Sequence, residues 1–253
     1  IGGIPTDFNL SARLGGSHEG NKYFVIEADE YDTAFFDKRS KFVHYHSRTA
    51  ILNNLEFDHA DIFPDLAAIE TQFHHLVRTI SGNGLIVSNG NDQNLERVLN
   101  KGAWTPIERF GESQYWSGSA ADTDGSFSIS RKDKLLGKLN WNQLGDHNRL
   151  NALAAIAAAN HAGVSPQTSI TALEKFQGVK RRMEIKGVVN GITIYDDFAH
   201  HPTAIATTIA GLRHRVGNAR ILAVLEPRSN TMKQGVWKDD LAASLRDAEA
   251  VFC

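Results

Sequence analysis

Short apolar runs that alternate with amphipathic segments dominate the first hundred or so of the 253 residues. Residues 22–26, 48–54 and 84–88 are apolar runs of strand length, whereas residues 65–78 and 93–99 have the 3.6-residue period of helices. Alternation of strands with helices favours βαβ units and a mostly parallel sheet. We therefore expect an α/β fold with helices on both faces of the sheet.

The sequence changes character after residue 113. Residues 114–139 are rich in Ser, Gly and Asp, with alternating apolar positions, and predict antiparallel strands at the edge of the same sheet. A domain boundary is expected near Met183, where a new series of strands and helices begins. The remaining predictions are helices at 148–161 and 165–176, a hairpin at 184–195, a helix at 203–213, a strand at 220–225, a helix at 238–246 and a strand from 250.

Composition narrows the classes of partner. Hydrophobic residues make up 42% and charged residues 22% of the chain, which is ordinary for a globular protein. A formal net charge of -2 gives no reason to expect nucleic acid or a membrane surface as a partner. The single cysteine, Cys253, rules out a disulfide within the chain and favours a reducing compartment.

Two acidic segments follow predicted strands, at residues 27–32 and 53–61. Ligands of open α/β sheets bind in the crevice at the carboxyl ends of the strands. The four carboxylates of the first segment, Glu27 among them, and Glu56, Asp58, His59 and Asp61 of the second therefore form a candidate site for Mg²⁺, which prefers oxygen ligands. The alternative for the first segment is a solvated acidic turn, and a lone histidine is more often structural than a ligand.

The segment GDHNRLN at residues 145–151 opens the apolar helix predicted to follow it. Asn148 and Asn151 lie three residues apart and so share one helical face. An asparagine amide offers both a donor and an acceptor, which suits the edge of a nucleobase, and a helix N-terminus favours anions. Simple capping of the helix by Asp146 is the alternative.

Two further polar segments lie around the expected boundary. The basic run that includes Arg182 could reach a phosphate with its planar, permanently charged fork, although a solvated basic loop explains it equally well. Residues 195–202 place Asp197 and His200 between a strand and a helix, where they could contact a ribose hydroxyl or take a proton. The alternative there is a turn capped ahead of Pro202.

Taken together and in this order, these segments resemble the Mur ligase superfamily over nearly the whole chain. Within it, the form DDFAHHP is similar to the branch that acts on UDP-N-acetylmuramate, and the run at 225–232 resembles the murein peptide ligases. The motifs that carry the resemblance are EADE at 27–30, NLEFDH at 54–59, GDHNRLN at 145–151, RRME at 181–184 and DDFAHHP at 196–202.

The resemblance implies a fold and a reaction. Residues 1–183 would be the central ATP-binding ligase domain, and residues 184–253 the N-terminal portion of a Rossmann-like C-terminal domain. The implied reaction is ATP-dependent amide bond formation in the cytoplasm, which joins the tripeptide L-alanyl-γ-D-glutamyl-meso-diaminopimelate to UDP-N-acetylmuramate through an acyl phosphate. The alternatives are ligation of L-alanine instead, or a nucleotide-binding module without catalysis.

The resemblance also assigns roles to the candidate residues. The implied roles are Mg²⁺ binding for Glu27 and His59, adenine contacts for Asn148 and Asn151, a γ-phosphate contact for Arg182, a ribose contact for Asp197, and a place near the carboxylate of the acyl acceptor for His200.

One superfamily element is missing from the sequence. The phosphate-binding loop with Gly-Lys-Thr/Ser is expected just upstream of Ile1, and no Gly-Lys-Ser/Thr occurs in these 253 residues. Both ends of the sequence have the pattern of a cut chain. We therefore expect that the parent protein is a ligase and that this piece alone is inactive.

Overall fold

The computed structural model describes residues 3–13, 23–122, 125–143 and 145–253. The chain divides into two compact units. The large unit comprises Ile26–Trp141 and Arg149–Lys175, and the small unit comprises Ile1–Val25, Asn142–Asn148 and Phe176–Cys253. The domain boundary at residue 183 stays a prediction.

A six-stranded mixed sheet organises the large unit. Its strands are β3 (Thr49–Leu52), β4 (Leu85–Asn89), β5 (Ile107–Phe110), β6 (Trp116–Gly118), β7 (Phe127–Arg131) and β8 (Lys134–Leu139). They lie side by side in chain order. Neighbouring strands are parallel from β3 to β6 and antiparallel from β6 to β8. The parallel part and the antiparallel edge confirm the predicted architecture. A short hairpin, β1 (Asp32–Ala34) with β2 (Asp37–Ser40), precedes the sheet and was not predicted.

Helices cover both faces of this sheet. They are α1 (Leu66–Thr79), α2 (Gln93–Asn100), α3 (Asp146–His161) and α4 (Pro166–Glu174), all close to the predicted ranges. Side chains along β4 point alternately to the two faces, as strand geometry requires. Ile86 joins the core cluster under α1 and α2, whereas Leu85 and Val87 join the cluster under α3 and α4. The sequence prediction of a two-sided α/β layer is confirmed.

One predicted strand is wrong. Lys22 lies outside the described residues, and residues 23–26 form no strand. Phe24 and Val25 are 85% and 86% exposed rather than buried. Apolar character is not sufficient for a strand, because its backbone groups must also pair with a neighbour. Among the described strands β3 pairs with β4 alone, so Glu27 follows an irregular segment instead of a sheet strand.

The small unit contains two separate strand pairs. The antiparallel hairpin of β9 (Glu184–Val189) and β10 (Ile192–Asp196) turns at Asn190 and Gly191, whose φ values of 50° and 78° suit a tight hairpin turn. The parallel pair β11 (Leu222–Val224) and β12 (Ala250–Phe252) packs with α5 (Pro202–Val216) and α7 (Lys238–Ser244), and α6 (Asn230–Lys233) is a single turn. The hairpin and the βα series confirm the sequence prediction for this region.

No helix in the described part of the chain combines the length and the apolar character needed to cross a bilayer.

Asp92 fastens two parts of the large unit. Its Oδ1 accepts hydrogen bonds from the backbone N–H groups of Asn94 and Leu95 at 2.8 and 2.9 Å, and its Oδ2 accepts one from Leu55 N at 2.8 Å. Asp65 provides a matched comparison, because its carboxylate caps α1 by accepting a hydrogen bond from Ala68 N at 2.8 Å. The carboxylate of Asp92 thus caps α2 and also fixes the segment that follows β3.

Replacing Asp92 with alanine is expected to destabilise the chain by about 2 kcal/mol, because a cap and a charge-assisted tertiary bond are both lost. Asp65→Ala, which removes a cap, is expected to cost about 1 kcal/mol. Urea unfolding followed by circular dichroism measures both. An equal loss for the two variants would contradict the tertiary role of Asp92.

Candidate functional site

His59 lies in the segment that follows β3 and is held by the first acidic segment. Its Nε2 lies 3.0 Å from Glu30 Oε1, and its ring stacks at a tilt on Tyr31 with the ring centroids 4.3 Å apart. The hydrogen bond to Glu30 raises the pKa of His59, and the neighbouring carboxylates act in the same direction. The structure therefore brings together the two acidic segments that the sequence singled out, through the contact of Glu30 with His59.

Glu27 is exposed on the irregular segment before β1. Within the described ranges, no group of three or more His, Cys, Asp or Glu side chains is arranged to hold a metal ion. Binding of Mg²⁺ does not require such a group, because the ion is commonly held by one or two carboxylates, with waters and substrate phosphates completing its coordination shell. Glu27 remains a suitable donor by its chemistry and exposure.

Amide side chains meet at the carboxyl ends of β3 and β4. Asn53 follows β3 directly, and its Nδ2 donates to Asn151 Oδ1 at 2.9 Å. Asn89 ends β4, and its Nδ2 donates to the backbone carbonyl of Asn53 at 3.0 Å. Asn151 of α3 therefore lies at the sheet edge where α/β folds bind ligands. The sequence motif alone did not identify Asn53 as its partner.

In the small unit, Asp197 follows β10 directly. Asp197 Oδ2 accepts from Met183 N at 2.8 Å, and Asp197 Oδ1 accepts from Ala199 N at 2.9 Å. The same carboxylate that we expected at a ribose thus fixes the backbone next to Arg182. Asn148 lies in the first turn of α3, where its backbone N–H donates to Gly145 O at 3.1 Å.

Phe198 is the common neighbour of Arg181, Arg182 and His200. The guanidinium carbons of Arg181 and Arg182 lie 4.8 and 5.7 Å from the centroid of its ring. The Nδ1 of His200 lies 3.1 Å from the backbone carbonyl of Phe198, and the two rings meet edge to face at 5.6 Å. Arg182, Asp197 and His200 therefore form one neighbourhood, and the aromatic residue between them was not predicted as part of it.

His147 was also missed, although it lies inside the motif GDHNRLN. Its Nδ1 is buried and has no hydrogen-bond partner among the described residues. Gly145 leaves room for the ring, since a Cβ there would lie 2.8 Å from His147 Cε1, and its φ of 87° also favours glycine. Burial lowers the pKa of His147, the nearby Arg182 lowers it further, and Asp197 opposes the shift.

At pH 7 we therefore expect the imidazole of His147 to be neutral. Because the pKa of its folded form lies below that of the unfolded chain, protonation favours unfolding, and stability should fall as the pH drops below about 6.5. Imidazole proton–nitrogen correlation spectra over a pH series measure the titration, and loss of the signal in His147→Gln assigns it. A midpoint above the ordinary histidine value would contradict the buried, uncharged ring.

Comparison with protein families gives two matches in chain order. Residues 3–159 match the model described as the Mur ligase middle domain, and residues 181–253 match the one described as the Mur ligase, glutamate ligase domain. Together they include each of the candidate residues discussed above.

Individual relatives agree with this assignment. The chain is 56% identical, over all of its length, to the UDP-N-acetylmuramate–L-alanyl-γ-D-glutamyl-meso-2,6-diaminoheptandioate ligase of Escherichia coli K12, and covers 55% of that protein. It is 32% identical over 98% of its length to the UDP-N-acetylmuramate–L-alanine ligase of Streptococcus gordonii, of which it covers 54%. A solved murein peptide ligase of Psychrobacter arcticus superposes with a TM-score of 0.72 at 48% identity, over 99% of this chain and 56% of that one. The chain thus spans about half the length of the curated relatives it matches.

Proposed function

Since this chain belongs to the Mur ligase family, we propose that it acts within a longer ATP-dependent ligase. That ligase joins the tripeptide L-alanyl-γ-D-glutamyl-meso-diaminopimelate to UDP-N-acetylmuramate in the cytoplasm. The choice of the tripeptide as substrate is supported by the contrast in sequence identity. The chain is 56% identical to a relative named for this tripeptide and 32% identical to one named for L-alanine. In this reaction ATP supplies the phosphoryl group that activates the lactyl carboxylate for attack by the amine.

Arg182 is proposed to neutralise negative charge on the phosphoryl group during transfer. Its side chain is exposed and lies beside Phe198, so a phosphate in solution can reach the guanidinium directly. A guanidinium stays charged at all physiological pH values and binds phosphate oxygens through two parallel hydrogen bonds. Charge stabilisation of this kind accounts for much of the rate of phosphoryl transfer.

Glu27 and His59 are proposed as the protein ligands of Mg²⁺. Glu27 offers the hard oxygen donor that the ion prefers. His59 is a less usual donor, and its Nε2 contacts Glu30 at 3.0 Å, so binding through Nε2 requires that this hydrogen bond break. The carboxylates around His59 keep the local field negative, which favours a divalent cation.

Asn148, Asn151 and Asp197 are proposed to hold the nucleoside, the two amides at the adenine and the carboxylate at the ribose. The contact between Asn151 and Asn53 supports this by fixing the amide in one orientation. The two bonds from Met183 and Ala199 likewise fix the carboxylate of Asp197. A fixed donor or acceptor loses little conformational entropy when the ligand binds.

His200 is proposed to lie near the carboxylate of the incoming amine substrate. Its Nδ1 lies 3.1 Å from the backbone carbonyl oxygen of Phe198, and this contact orients the ring. The residues of the run at 225–232, including Arg228 and Asn230, are proposed to contact the peptide side of that substrate.

The proposal is tested by ADP release from an enzyme of the relatives' full length that carries this chain. Release should require both UDP-N-acetylmuramate and the tripeptide, and the carboxylate oxygen of UDP-N-acetylmuramate labelled with ¹⁸O should appear in the phosphate product. Binding of ATP without amide formation from either amine would favour a nucleotide-binding module. Exclusive use of L-alanine would favour the alternative ligase.

A further inference from the structure

The backbone around Arg182 adopts a conformation that ordinary residues avoid. The residues on either side of it, Arg181 and Met183, have φ values of 59° and 50°, in the left-handed region. Neither is a glycine, so each side chain opposes this conformation and the surroundings must hold it. The contacts that hold it therefore decide where the side chain of Arg182 begins.

Two carboxylates grip the two strained residues. Glu184 Oε2 accepts a hydrogen bond from Arg181 N at 2.9 Å, and Asp197 Oδ2 accepts one from Met183 N at 2.8 Å. The bond from Arg181 N lowers the pKa of Glu184, which remains ionised and a strong acceptor at neutral pH. Lys186 Nζ lies 3.0 Å from the same oxygen and keeps the carboxylate over the turn.

We propose that Glu184 is a positioning residue for Arg182 and acts through the backbone of the turn at residues 181–183. Asp197 holds the other end of this turn, and the two carboxylates together form a clamp on it. The inference rests on the proposed function, since it assigns Arg182 to the phosphoryl group. Glu184 does not touch the phosphate. Its carboxylate fixes the strained turn, and the turn sets the start and direction of the Arg182 side chain.

The chain offers a matched control in Glu249. Its Oε2 also accepts from a backbone N–H, that of Ile221, at 2.6 Å, and its Oε1 also pairs with a basic side chain, Arg213, at 2.6 Å. The bond from Ile221 N lowers the pKa of Glu249, as the bond from Arg181 N does for Glu184. Glu249 therefore reproduces the chemistry of Glu184 without adjoining Arg182.

The experiment compares E184A, E184Q and E249A in the full-length enzyme. E184A should lower kcat about tenfold while the KM for ATP changes less than about twofold, because misplacing a catalytic group costs rate more than binding. E184Q should restore most of the rate, since its amide oxygen still accepts the bond. E249A should leave kcat within about twofold, even where thermal unfolding reveals a loss of stability.

A double-mutant cycle decides whether Glu184 acts through Arg182. In an R182A background, followed in single turnovers with enzyme in excess, adding E184A should change the rate less than about twofold. An undiminished tenfold effect there, or a failure of E184Q to restore the rate, overturns the inference. If the wild-type enzyme makes no amide, the proposed function fails separately. Amide hydrogen exchange at Arg181 then still tests whether Glu184 fixes the turn. Exchange should be faster in E184A, and an unchanged exchange rate would overturn the role of Glu184.

Discussion

Replacing Arg182 with alanine is expected to lower kcat for ligation by a factor of about 10³. The physical reason is the loss of a fixed positive charge where negative charge develops on the transferred phosphoryl group. The side chain is exposed, so the midpoint of thermal unfolding should change little. Single-turnover ADP formation in the full-length enzyme measures the rate.

Arg215 supplies the control for this result. It is an exposed arginine on α5 of the same unit, and its replacement by alanine removes the same charge from the surface. Arg215→Ala should leave kcat within about twofold of the wild type. Equal losses in the two variants would mean that net charge, rather than the place of Arg182, controls the rate.

Replacing Trp116 with alanine is expected to destabilise the large unit by about 4 kcal/mol. Trp116 is fully buried at the junction of the parallel and antiparallel parts of the sheet. Its Nε1 donates to Glu108 Oε2 at 2.6 Å, so the change leaves both a cavity and an acceptor with one donor fewer. Urea unfolding followed by circular dichroism measures the loss.

Trp104 tests whether this loss comes from burial. It is 72% exposed, and its replacement by alanine removes the same volume from the surface. Trp104→Ala should change stability by less than about 0.5 kcal/mol. A comparable loss in the two variants would contradict the assignment of Trp116 to the core.

The sequence predicted most of the fold because its signals were local. The 3.6-residue period fixed α1, and Asn190-Gly191 fixed the hairpin of β9 and β10. The failure at residues 22–26 has the opposite cause. Strand formation there depends on a pairing partner, which an apolar run of five residues cannot specify by itself. The hairpin of β1 and β2 was missed because charged residues, rather than an apolar alternation, dominate it.

The candidate site was predictable in its residue types and not in its contacts. Motif order selected His59 and Asp197, yet the partners Glu30 and Met183 follow only from the folded chain. The left-handed turn around Arg182 could not be predicted from the sequence either, because the two residues with positive φ, Arg181 and Met183, are not glycines. The roles of Glu27, His59, Asn148, Asn151, Arg182, Asp197 and His200 stay predictions.

The central claim is tripeptide ligation, and a competition measures it most directly. The full-length enzyme is given ATP, Mg²⁺ and UDP-N-acetylmuramate with equal concentrations of the tripeptide and L-alanine. The UDP-linked products are then identified and quantified by mass spectrometry. The account predicts that the tripeptide adduct is the dominant product and that its formation matches ADP release. A dominant L-alanine adduct, or ADP release without either adduct, would contradict it.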